Sequence, residues 1–307
     1  MEIGFSLPLK LGIDDKITYV HKIESLNFDH LWIGDNSITV DVFSNVKLAL
    51  SSSHSLNVWT GITSPFYYTL RDLSKTCYYL SRNFSHRFGL GLGIGRKEIL
   101  PENYKKRPVY YFKKAVRSFI ETYISSYNNS QLDFPLAIGA LEKKMCLFAF
   151  EVADILLLNS ASERDIEYAH SLRSSIANEP TTKVFSYGML DILADSNSSI
   201  SPFVWNIIKK IVTNASIQLL KRHGYSAKVI EIIKNTNAFV WDSRAPKGQW
   251  RAIIEDFAFV GTIEQIIEKL EKFKALHSTG YLEGMAFGWV YKSDQWDKIK
   301  EMRKLLK

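Results

Sequence analysis

The stretch Gly89-Leu-Gly-Leu-Gly-Ile-Gly95 places a glycine at every second position, with Leu90, Leu92 and Ile94 between them. Because side chains alternate along a β-strand, the pattern predicts a strand with one aliphatic face and one bare face. A dinucleotide-binding fingerprint requires Gly-x-Gly-x-x-Gly before a helix, and the spacing here does not match it. A bare-faced strand suits a closed barrel, in which inward side chains share limited space. Two interpretations of the glycines stay open: they relieve crowding in a core, or they leave room for a flat ligand.

Eight short β-like runs alternate with amphipathic helical patterns along the chain, which is typical of a parallel (β/α)8 barrel. The predicted strands are Glu2–Leu9, His30–Asp35, Leu56–Ile62, Phe88–Gly95, Phe134–Ala140, Asp154–Asn159, Lys183–Leu190 and Gly280–Gly288. Between the seventh and eighth strands, from about Pro202 to Trp250, the sequence predicts helices and no strand. We therefore predict one domain over residues 1–307, an α/β TIM barrel with a helical insertion (about 202–250) between strands 7 and 8.

Length and composition narrow the class of protein. A chain of 307 residues with 46% hydrophobic residues is ordinary for one such barrel with an insertion. No apolar run approaches the roughly 20 residues of a membrane span, and Met1 leads directly into a strand pattern without a signal segment. Cys77 and Cys146 have no partner spacing and lie in apolar helical patterns. These features predict a cytoplasmic protein with reduced cysteines and no membrane partner.

The formal net charge of +7 favours an anionic partner. Basic residues cluster at Lys105-Lys106-Arg107, Lys143-Lys144, Lys209-Lys210 and Lys221-Arg222. Such clusters are more often solvated helix faces than binding sites. Because the chain contains no recognition module for nucleic acid, we predict no nucleic-acid partner and favour a phosphorylated cofactor.

Catalytic groups of a parallel barrel lie at the carboxyl ends of its strands and in the loops that follow. The rule selects Pro8, Asp35-Asn36, Gly61–Ser64, Gly95–Glu98, Gly139-Ala140, Asn159-Ser160 and Gly284–Gly288. These positions contain few strong acids or bases and neither His nor Cys. The seven histidines lack metal-ligand spacing, and no nucleophile-elbow motif is present. The set therefore predicts a bound cofactor that carries the chemistry, and no metal.

Colinear motifs resemble those of the luciferase-like flavin and deazaflavin oxidoreductases. The matching segments are Trp32-Ile-Gly-Asp35, Thr60-Gly-Ile-Thr-Ser-Pro65, Ser85-His-Arg87 with Gly89–Gly95, and Pro135–Ala140 continuing through Ala149–Asp154 to Leu158–Ala161. Arg222-His-Gly224 and Phe259-Val-Gly-Thr262 resemble in particular the coenzyme F420-dependent methylenetetrahydromethanopterin reductases. The resemblance spans nearly the whole chain.

The resemblance implies a ring of coenzyme F420, or alternatively FMN, at the mouth of the barrel. It implies a non-prolyl cis peptide bond between Gly61 and Ile62, against the alternative of an ordinary strand end. The implied catalytic residues are Asp35 and Asn36, although Asp35 also suits a helix N-cap. The implied cofactor-binding residues are Gly61, Ile62, Thr63, Gly95, Gly139, Ala140, Asn159 and Ser160, and Asn159 also suits a turn.

The chain departs from the family at Asn36, where a histidine is usual, and at Gly139–Lys143, where the reductases have Gly-Ala-Gln-Gly-Pro. The leading hypothesis is an F420-dependent oxidoreductase that moves a hydride between deazaflavin C5 and a carbon of a pterin-like or other small substrate. The alternatives are an FMN-dependent luciferase-like monooxygenase and a non-catalytic paralogue that has lost cofactor binding, since fold alone does not fix function. Relatives of this kind imply a homodimer or larger homo-oligomer.

Overall fold

A computed structural model describes residues 1–35, 41–95, 100–235, 249–289 and 295–306 of the chain. The strands in this part are β1 (Glu2–Ser6), β2 (His30–Ile33), β3 (Asn57–Thr60), β4 (Phe88–Leu92), β5 (Leu136–Gly139), β6 (Ile155–Leu158), β7 (Lys183–Ile192), β8 (Ala258–Gly261) and β9 (Gly284–Trp289). Strands β1 to β7 pair in chain order, β7 pairs with β9, and β9 pairs with β1. Eight of the strands thus form a closed parallel barrel, and the predicted (β/α)8 fold is confirmed.

Helices separate the strands, as the alternating pattern predicts. They are α1 (Ile13–Ser25), α2 (Val42–Ser51), α3 (Leu70–Asn83), α4 (Glu102–Lys105), α5 (Pro108–Tyr127), α6 (Lys143–Val152), α7 (Glu163–Ser174), α8 (Pro202–Asn214), α9 (Ile217–Arg222), α10 (Ala227–Lys234), α11 (Gln249–Phe257), α12 (Ile263–Ser278) and α13 (Trp296–Leu306). A single 3₁₀ turn, Pro65–Tyr67, follows β3. The described part of the predicted insertion is helical from α8 to α11, and residues 236–248 lie outside the described part.

The sequence did not predict strand β8. It begins directly after α11 and pairs in parallel with the carboxyl end of β7, from Met189↔Ala258 to Ile192↔Gly261. Only four residues long, it shows no alternation that the sequence could reveal. Strand β7 is ten residues long, and it pairs with β9 nearer its amino end, from Phe185↔Gly284 to Leu190↔Trp289.

The chain packs as two compact units. The first unit comprises Glu2–Leu157 and Leu172–Lys183, and the second comprises Met1, Leu158–Ser171 and Val184–Lys307. The first therefore holds β1 to β5 with helices α1 to α6, and the second holds the insertion, β8, β9, α12 and α13. The prediction of one domain over residues 1–307 stays a prediction.

Two tryptophans on neighbouring strands fill the interior of the first unit. Trp32 of β2 and Trp59 of β3 are register partners, and their rings stack with centroids 4.9 Å apart. A Cβ on Gly4 would lie 2.7 Å from Nε1 of Trp32, and a Cβ on Gly89 would lie 2.5 Å from Cζ3 of Trp59. Real Cβ atoms essentially never approach another heavy atom closer than 3.0 Å. Glycine at these two positions is therefore what allows the strands to carry the two indole rings.

A polar chain continues from this tryptophan pair. The indole Nε1–H of Trp59 donates to Nδ1 of His30 at 3.0 Å, and Nε2 of His30 lies 2.7 Å from the Glu2 carboxylate. Because an indole nitrogen is a donor only, Nδ1 is the acceptor and Nε2 carries the proton toward Glu2. The hydrogen bond from His30 lowers the pKa of Glu2 to about 2 against the opposing effect of burial, and Lys183 contributes to the same shift.

Three structural findings concern the cysteines, membrane crossing and metal binding. Cys77 and Cys146 are buried in α3 and α6, as their apolar helical patterns indicate. No described helix has the length and hydropathy that a membrane crossing requires. Among the described residues, no group of three or more His, Cys, Asp or Glu side chains is arranged to hold a metal ion.

Candidate functional site

The bare face of β4 is filled by protein atoms from β3 and from the segment after it. A Cβ on Gly91 would overlap the carbonyl oxygen of Thr60, and a Cβ on Gly93 would overlap Cδ1 of Ile62. The Thr60 hydroxyl donates to the Gly91 carbonyl at 2.8 Å, and the Gly91 amide donates to the same hydroxyl at 2.8 Å. The structure therefore supports the first interpretation of the glycines, relief of crowding, because β3 approaches β4 too closely for side chains.

Ile62 emerges from this crowded region as a partly exposed side chain. The peptide bond between Gly61 and Ile62 is cis, as the resemblance implies. Beneath Ile62 lie Gly93 of the β4–α4 loop and Gly139 at the end of β5, where a Cβ would approach Cδ1 of Ile62 to 2.8 Å. Ile62 nevertheless remains partly exposed. We call this arrangement the Ile62 shelf: an aliphatic surface supported by Gly93 and Gly139 at the carboxyl ends of the strands.

A carboxylate borders the shelf. The Thr63 hydroxyl donates to Oδ2 of Asp35, and the Tyr68 hydroxyl lies 3.3 Å from the same oxygen. The Asp35 amide donates to the Ile62 carbonyl at 3.4 Å, so Asp35 is joined to the shelf through both backbone and side chain. Burial and the charge of Asp35 together raise the pKa of Tyr68 to about 12, against the lowering effect of the Thr63 hydrogen bond. Tyr68 therefore stays protonated and acts as a donor at neutral pH.

Gly95 completes this side of the site. Its φ of +84° belongs to the left-handed region, which favours glycine. A Cβ at this position would lie 2.7 Å from the Tyr67 hydroxyl and 3.0 Å from Cβ of Ser64. The Ser64 hydroxyl donates to the Ile94 carbonyl at 2.9 Å and joins the end of β3 to the β4–α4 loop.

The structure thus brings together most of the sequence-predicted residues of the first unit. Asp35, Gly61, Ile62 and Thr63 are joined by direct contacts, and Gly139 supports Ile62 from below. The Ala140 amide, next to Gly139, donates to the Leu157 carbonyl at 3.0 Å, and Gly95 borders Ser64 and Tyr67. Asn36, predicted to be catalytic, lies outside the described residues. The sequence did not predict Tyr68, which belongs to no motif and reaches Asp35 only after the Pro65–Tyr67 turn.

The two remaining predicted residues, Asn159 and Ser160, follow β6 in the second unit. Asn159 is exposed. Ser160 is buried; its hydroxyl donates to the Asp256 carbonyl at 3.1 Å, and its carbonyl accepts from the Ser186 hydroxyl at 2.6 Å. The groups of Ser160 therefore hold the β6–α7 turn in place, and its role toward a cofactor stays a prediction.

A charged cluster that the sequence did not predict lies in the second unit. Nε2 of His223 is 2.8 Å from Asp165, and Nδ1 of His223 is 2.8 Å from Asp256. Arg222 donates to the other oxygen of Asp165 at 2.6 Å, and the Tyr225 hydroxyl donates to Asp256. We call these residues the His223 cluster. They join α7, the end of α9 with the loop that follows it, and α11.

Charge and burial explain the protonation of this cluster. Burial alone would lower the pKa of His223, but the hydrogen bonds and charges of Asp165 and Asp256 outweigh it and raise that pKa to about 9. Both ring nitrogens face carboxylates, so both carry protons and the imidazole ring is cationic at neutral pH. Burial likewise opposes ionisation of Asp165, whose pKa is nevertheless lowered by His223 and Arg222. The only sequence signal was the Arg222-His-Gly224 motif, because both carboxylates are distant along the chain.

The His223 cluster forms one wall of a cavity of about 730 Å³ in the second unit. Other walls come from α7, α11, α12 and β8, and they carry both acidic and basic side chains, including Glu167, Arg251 and Lys269. Burial lowers the pKa of Lys269 to about 8, and its ammonium donates to the backbone carbonyls of Glu255 and Ala258. The cavity is large enough for a small molecule. Arg251 in its wall donates to the Glu255 carboxylate at 2.9 Å.

Comparison with known proteins gives relatives over the length of the chain. No protein-family model matches the sequence. A 5,10-methylenetetrahydromethanopterin reductase from Archaeoglobus fulgidus is 22% identical over 303 residues, covering 88% of this chain and 89% of that protein. An enzyme of the same name from Methanolobus tindarius is 24% identical over 232 residues, covering 68% of this chain and 71% of that protein.

Solved structures share the fold. The coenzyme F420-dependent tetrahydromethanopterin reductase from Methanopyrus kandleri has a TM-score of 0.76 at 18% identity, covering 98% of this chain and 97% of that one. An F420-dependent secondary alcohol dehydrogenase, in complex with an F420–acetone adduct, has a TM-score of 0.70 at 15% identity, covering 100% and 99%. A monooxygenase from Streptomyces bottropensis has a TM-score of 0.64 at 12% identity, covering 99% and 97%. The resemblance to luciferase-like oxidoreductases that the motifs indicate is therefore confirmed, and at these identities the structural likeness shows the fold.

Proposed function

We propose that this protein is a coenzyme F420-dependent oxidoreductase that transfers a hydride between deazaflavin C5 and a carbon of a small substrate, with a pterin-like substrate as the leading candidate. The proposal is supported by similarity to methylenetetrahydromethanopterin reductases over nearly the full length of both chains. Two structural neighbours named as F420-dependent enzymes, a reductase and an alcohol dehydrogenase, support the same cofactor.

The observation that carries the proposal is the Ile62 shelf. A tricyclic ring needs a flat apolar surface against one of its faces, and a partly exposed aliphatic side chain at the carboxyl ends of the strands supplies one. Gly93 and Gly139 leave room for this side chain, because a Cβ at either position would displace Cδ1 of Ile62. The residues present therefore fit a deazaflavin or flavin ring.

Polar groups next to the shelf determine what the protein can contribute to the reaction. The Asp35 carboxylate, fixed by the hydroxyls of Thr63 and Tyr68, is placed to accept a hydrogen bond from a ring or substrate N–H or O–H group. Because this carboxylate is already held in place, it can orient its hydrogen-bond partner without moving during the reaction. Such positioning and fixed charge are how a protein assists the reaction of a cofactor. When bound, the deazaflavin ring supplies the hydride chemistry at C5. Asn36 is proposed to act beside Asp35.

The test is a side-by-side binding titration of purified protein with coenzyme F420 and with FMN. We expect F420 to bind and FMN to bind at least ten times more weakly. Ile62→Asp places a charge on the shelf and is expected to weaken F420 binding at least tenfold. Ile217→Asp is the matched control, because Ile217 is 51% exposed at the start of α9 and far along the chain from the shelf residues.

The titration separates the proposal from its two alternatives. Binding of FMN in place of F420 would favour the luciferase-like monooxygenase, an alternative supported by the fold shared with the Streptomyces bottropensis monooxygenase. Binding of neither cofactor would refute the proposal and favour the non-catalytic paralogue. Once F420 binding is established, loss of the absorbance of oxidised F420 in mixtures with candidate reduced substrates, pterins first, identifies the reaction. Its recovery when reduced F420 is mixed with the matching oxidised substrates identifies the reverse direction.

A further inference from the structure

The positive charge of the chain is concentrated in one short segment of the first unit. Residues 102–114 contain five basic residues and one acidic residue, a net charge of +4 within a whole-chain charge of +7. Lys105 forms an ion pair with Glu102 at 2.5 Å, and Lys113 lies 5.0 Å from the centroid of the Phe148 ring. Lys106, Arg107 and Lys114 are exposed, and none of the described residues pairs with them. We call Lys106, Arg107 and Lys114 the basic segment.

A row of aromatic rings joins the basic segment to the candidate site. Phe66 stacks on Tyr104 with ring centroids 4.7 Å apart, Tyr104 contacts Tyr111 at 5.0 Å, and Tyr111 contacts Tyr110 at 5.2 Å. Phe66 belongs to the turn directly after Ser64, and the neighbouring Tyr67 borders Gly95. The aromatic row (Phe66, Tyr104, Tyr111, Tyr110) therefore runs from the carboxyl end of β3 to the start of α5.

The outer end of the row is unusually open for a large aromatic residue. Tyr110 is 58% exposed, while Phe66, Tyr104 and Tyr111 are partly exposed. The hydroxyls of Tyr104, Tyr110 and Tyr111 are not hydrogen-bonded to any described residue. Phenolic hydroxyls, ammonium groups and guanidinium groups are all donors that suit phosphate and carboxylate oxygens. The three tyrosines and the basic segment, all within residues 104–114, thus offer an anion both hydrogen-bond donors and positive charge.

We propose that the aromatic row and the basic segment bind the anionic side chain of the deazaflavin coenzyme, while its ring lies on the Ile62 shelf. This inference rests on the proposed function. The side chain of coenzyme F420 carries a phosphodiester and glutamate carboxylates, so a surface that binds it needs several cations near the ring site. The basic segment supplies three exposed cations within ten residues of Tyr104, whose ring stacks on Phe66 in the turn after the shelf residues. Because the cations are exposed, their attraction for the side chain falls as salt is added.

The experiment compares two probes that share the ring. Coenzyme F420 carries the anionic side chain, whereas its precursor F0 has the same deazaflavin on a ribityl chain without phosphate or glutamate. We expect the double variant Lys106→Ala/Arg107→Ala to weaken F420 binding at least tenfold and to change F0 binding less than twofold. Tyr110→Phe, which removes only the hydroxyl, is expected to weaken F420 binding two- to threefold. The salt dependence of F420 binding should become shallower in the double variant.

The matched control is Lys209→Ala/Lys210→Ala, which removes two adjacent cations from α8 and is expected to leave both affinities unchanged. Equal loss of F420 and F0 binding in the Lys106/Arg107 variant, or no loss of either, would overturn the side-chain site while leaving the proposed function standing. Failure of the wild type to bind either probe would remove both the inference and the proposed function.

Discussion

The glycines of β4 and the loop after it allow a quantitative test of how the barrel is packed, because each faces a different obstacle. At Gly91 the obstacle is the backbone carbonyl of Thr60, which cannot move without the strand. Gly91→Ala would force β3 away from β4 and break the two hydrogen bonds between Gly91 and the Thr60 hydroxyl. Overpacking costs about 1–3 kcal/mol and each lost hydrogen bond about 1 kcal/mol, so we expect a loss of about 4 kcal/mol.

At Gly93 the obstacle is the far end of a flexible side chain. Gly93→Ala meets Cδ1 of Ile62, which can rotate away, so the expected loss is about 1 kcal/mol. Ile62→Val removes that carbon atom. In the double variant the alanine should therefore cost almost nothing, which gives a coupling free energy of about 1 kcal/mol between the two positions. Gly34→Ala is the control, since its nearest neighbour would be the Gly61 carbonyl oxygen at 3.8 Å, an ordinary contact.

The free energy of unfolding is measured by urea titration, followed by the fluorescence of the seven tryptophans. The expected order of stability is wild type and Gly34→Ala together, then Gly93→Ala, then Gly91→Ala. Equal losses at Gly91 and Gly93 would refute the distinction between backbone and side-chain obstacles. If Ile62→Val does not relieve the loss of stability caused by Gly93→Ala, the Ile62 side chain is not what the alanine Cβ meets.

Three further predictions follow from hydrogen bonds to charged groups. The pKa of His223 is raised from 6.5 to about 9, so its charged form stabilises the fold by up to about 3 kcal/mol. This contribution is complete below pH 6.5 and is lost as the pH rises through 9. Melting temperatures measured from pH 6 to 10 should therefore fall more in the wild type than in His223→Gln. Glu2, with its pKa lowered to about 2, contributes stability that is present above pH 4.5 and is lost as the pH falls through 2, so Glu2→Gln should flatten the acid side of the melting profile while disturbing His30 little at neutral pH. Tyr68→Phe removes a hydroxyl that donates to the Asp35 carboxylate; because a less firmly held carboxylate orients its partner less well, F420 binding should weaken by about two- to threefold, and an unchanged affinity would show that Tyr68 does not position Asp35.

Much of the fold was predictable because period-two and helical patterns alternate along the whole chain. Each of the eight predicted barrel strands is present, usually one to three residues shorter at an end than its apolar run. Strand β8 shows why other parts of the fold could not be predicted. Ala258–Gly261 is only four residues long, and it becomes a strand because it can pair with the end of β7. Pairing of that kind depends on tertiary contact, which a local pattern does not contain.

The candidate site likewise contains residues that the sequence predicts and residues that it does not. Asp35, Ile62 and Thr63 follow from the rule that places chemistry at the carboxyl ends of strands, and the structure joins them directly. Tyr68 and the His223 cluster could not be predicted, because their partners come from distant parts of the sequence. The basic residues at 105–107 resembled an ordinary solvated surface; only the stacking of Phe66 on Tyr104 relates them to the end of β3.

The pairing of β8 beside β7 has a consequence for how this architecture can vary. The Leu193 amide, just after β7, donates to the Gly261 carbonyl at the end of β8 at 2.8 Å. The chain therefore leaves the sheet at the end of β7 and returns to it at β8, which pairs with that same end. The two ends of the intervening segment are thus held together by backbone hydrogen bonds. Lengthening or replacing such a segment adds little closure entropy and leaves the register of β7 with β9 unchanged. The helices from α8 to α11 can thus diverge among related proteins without a change in the pairing of β7 with β9.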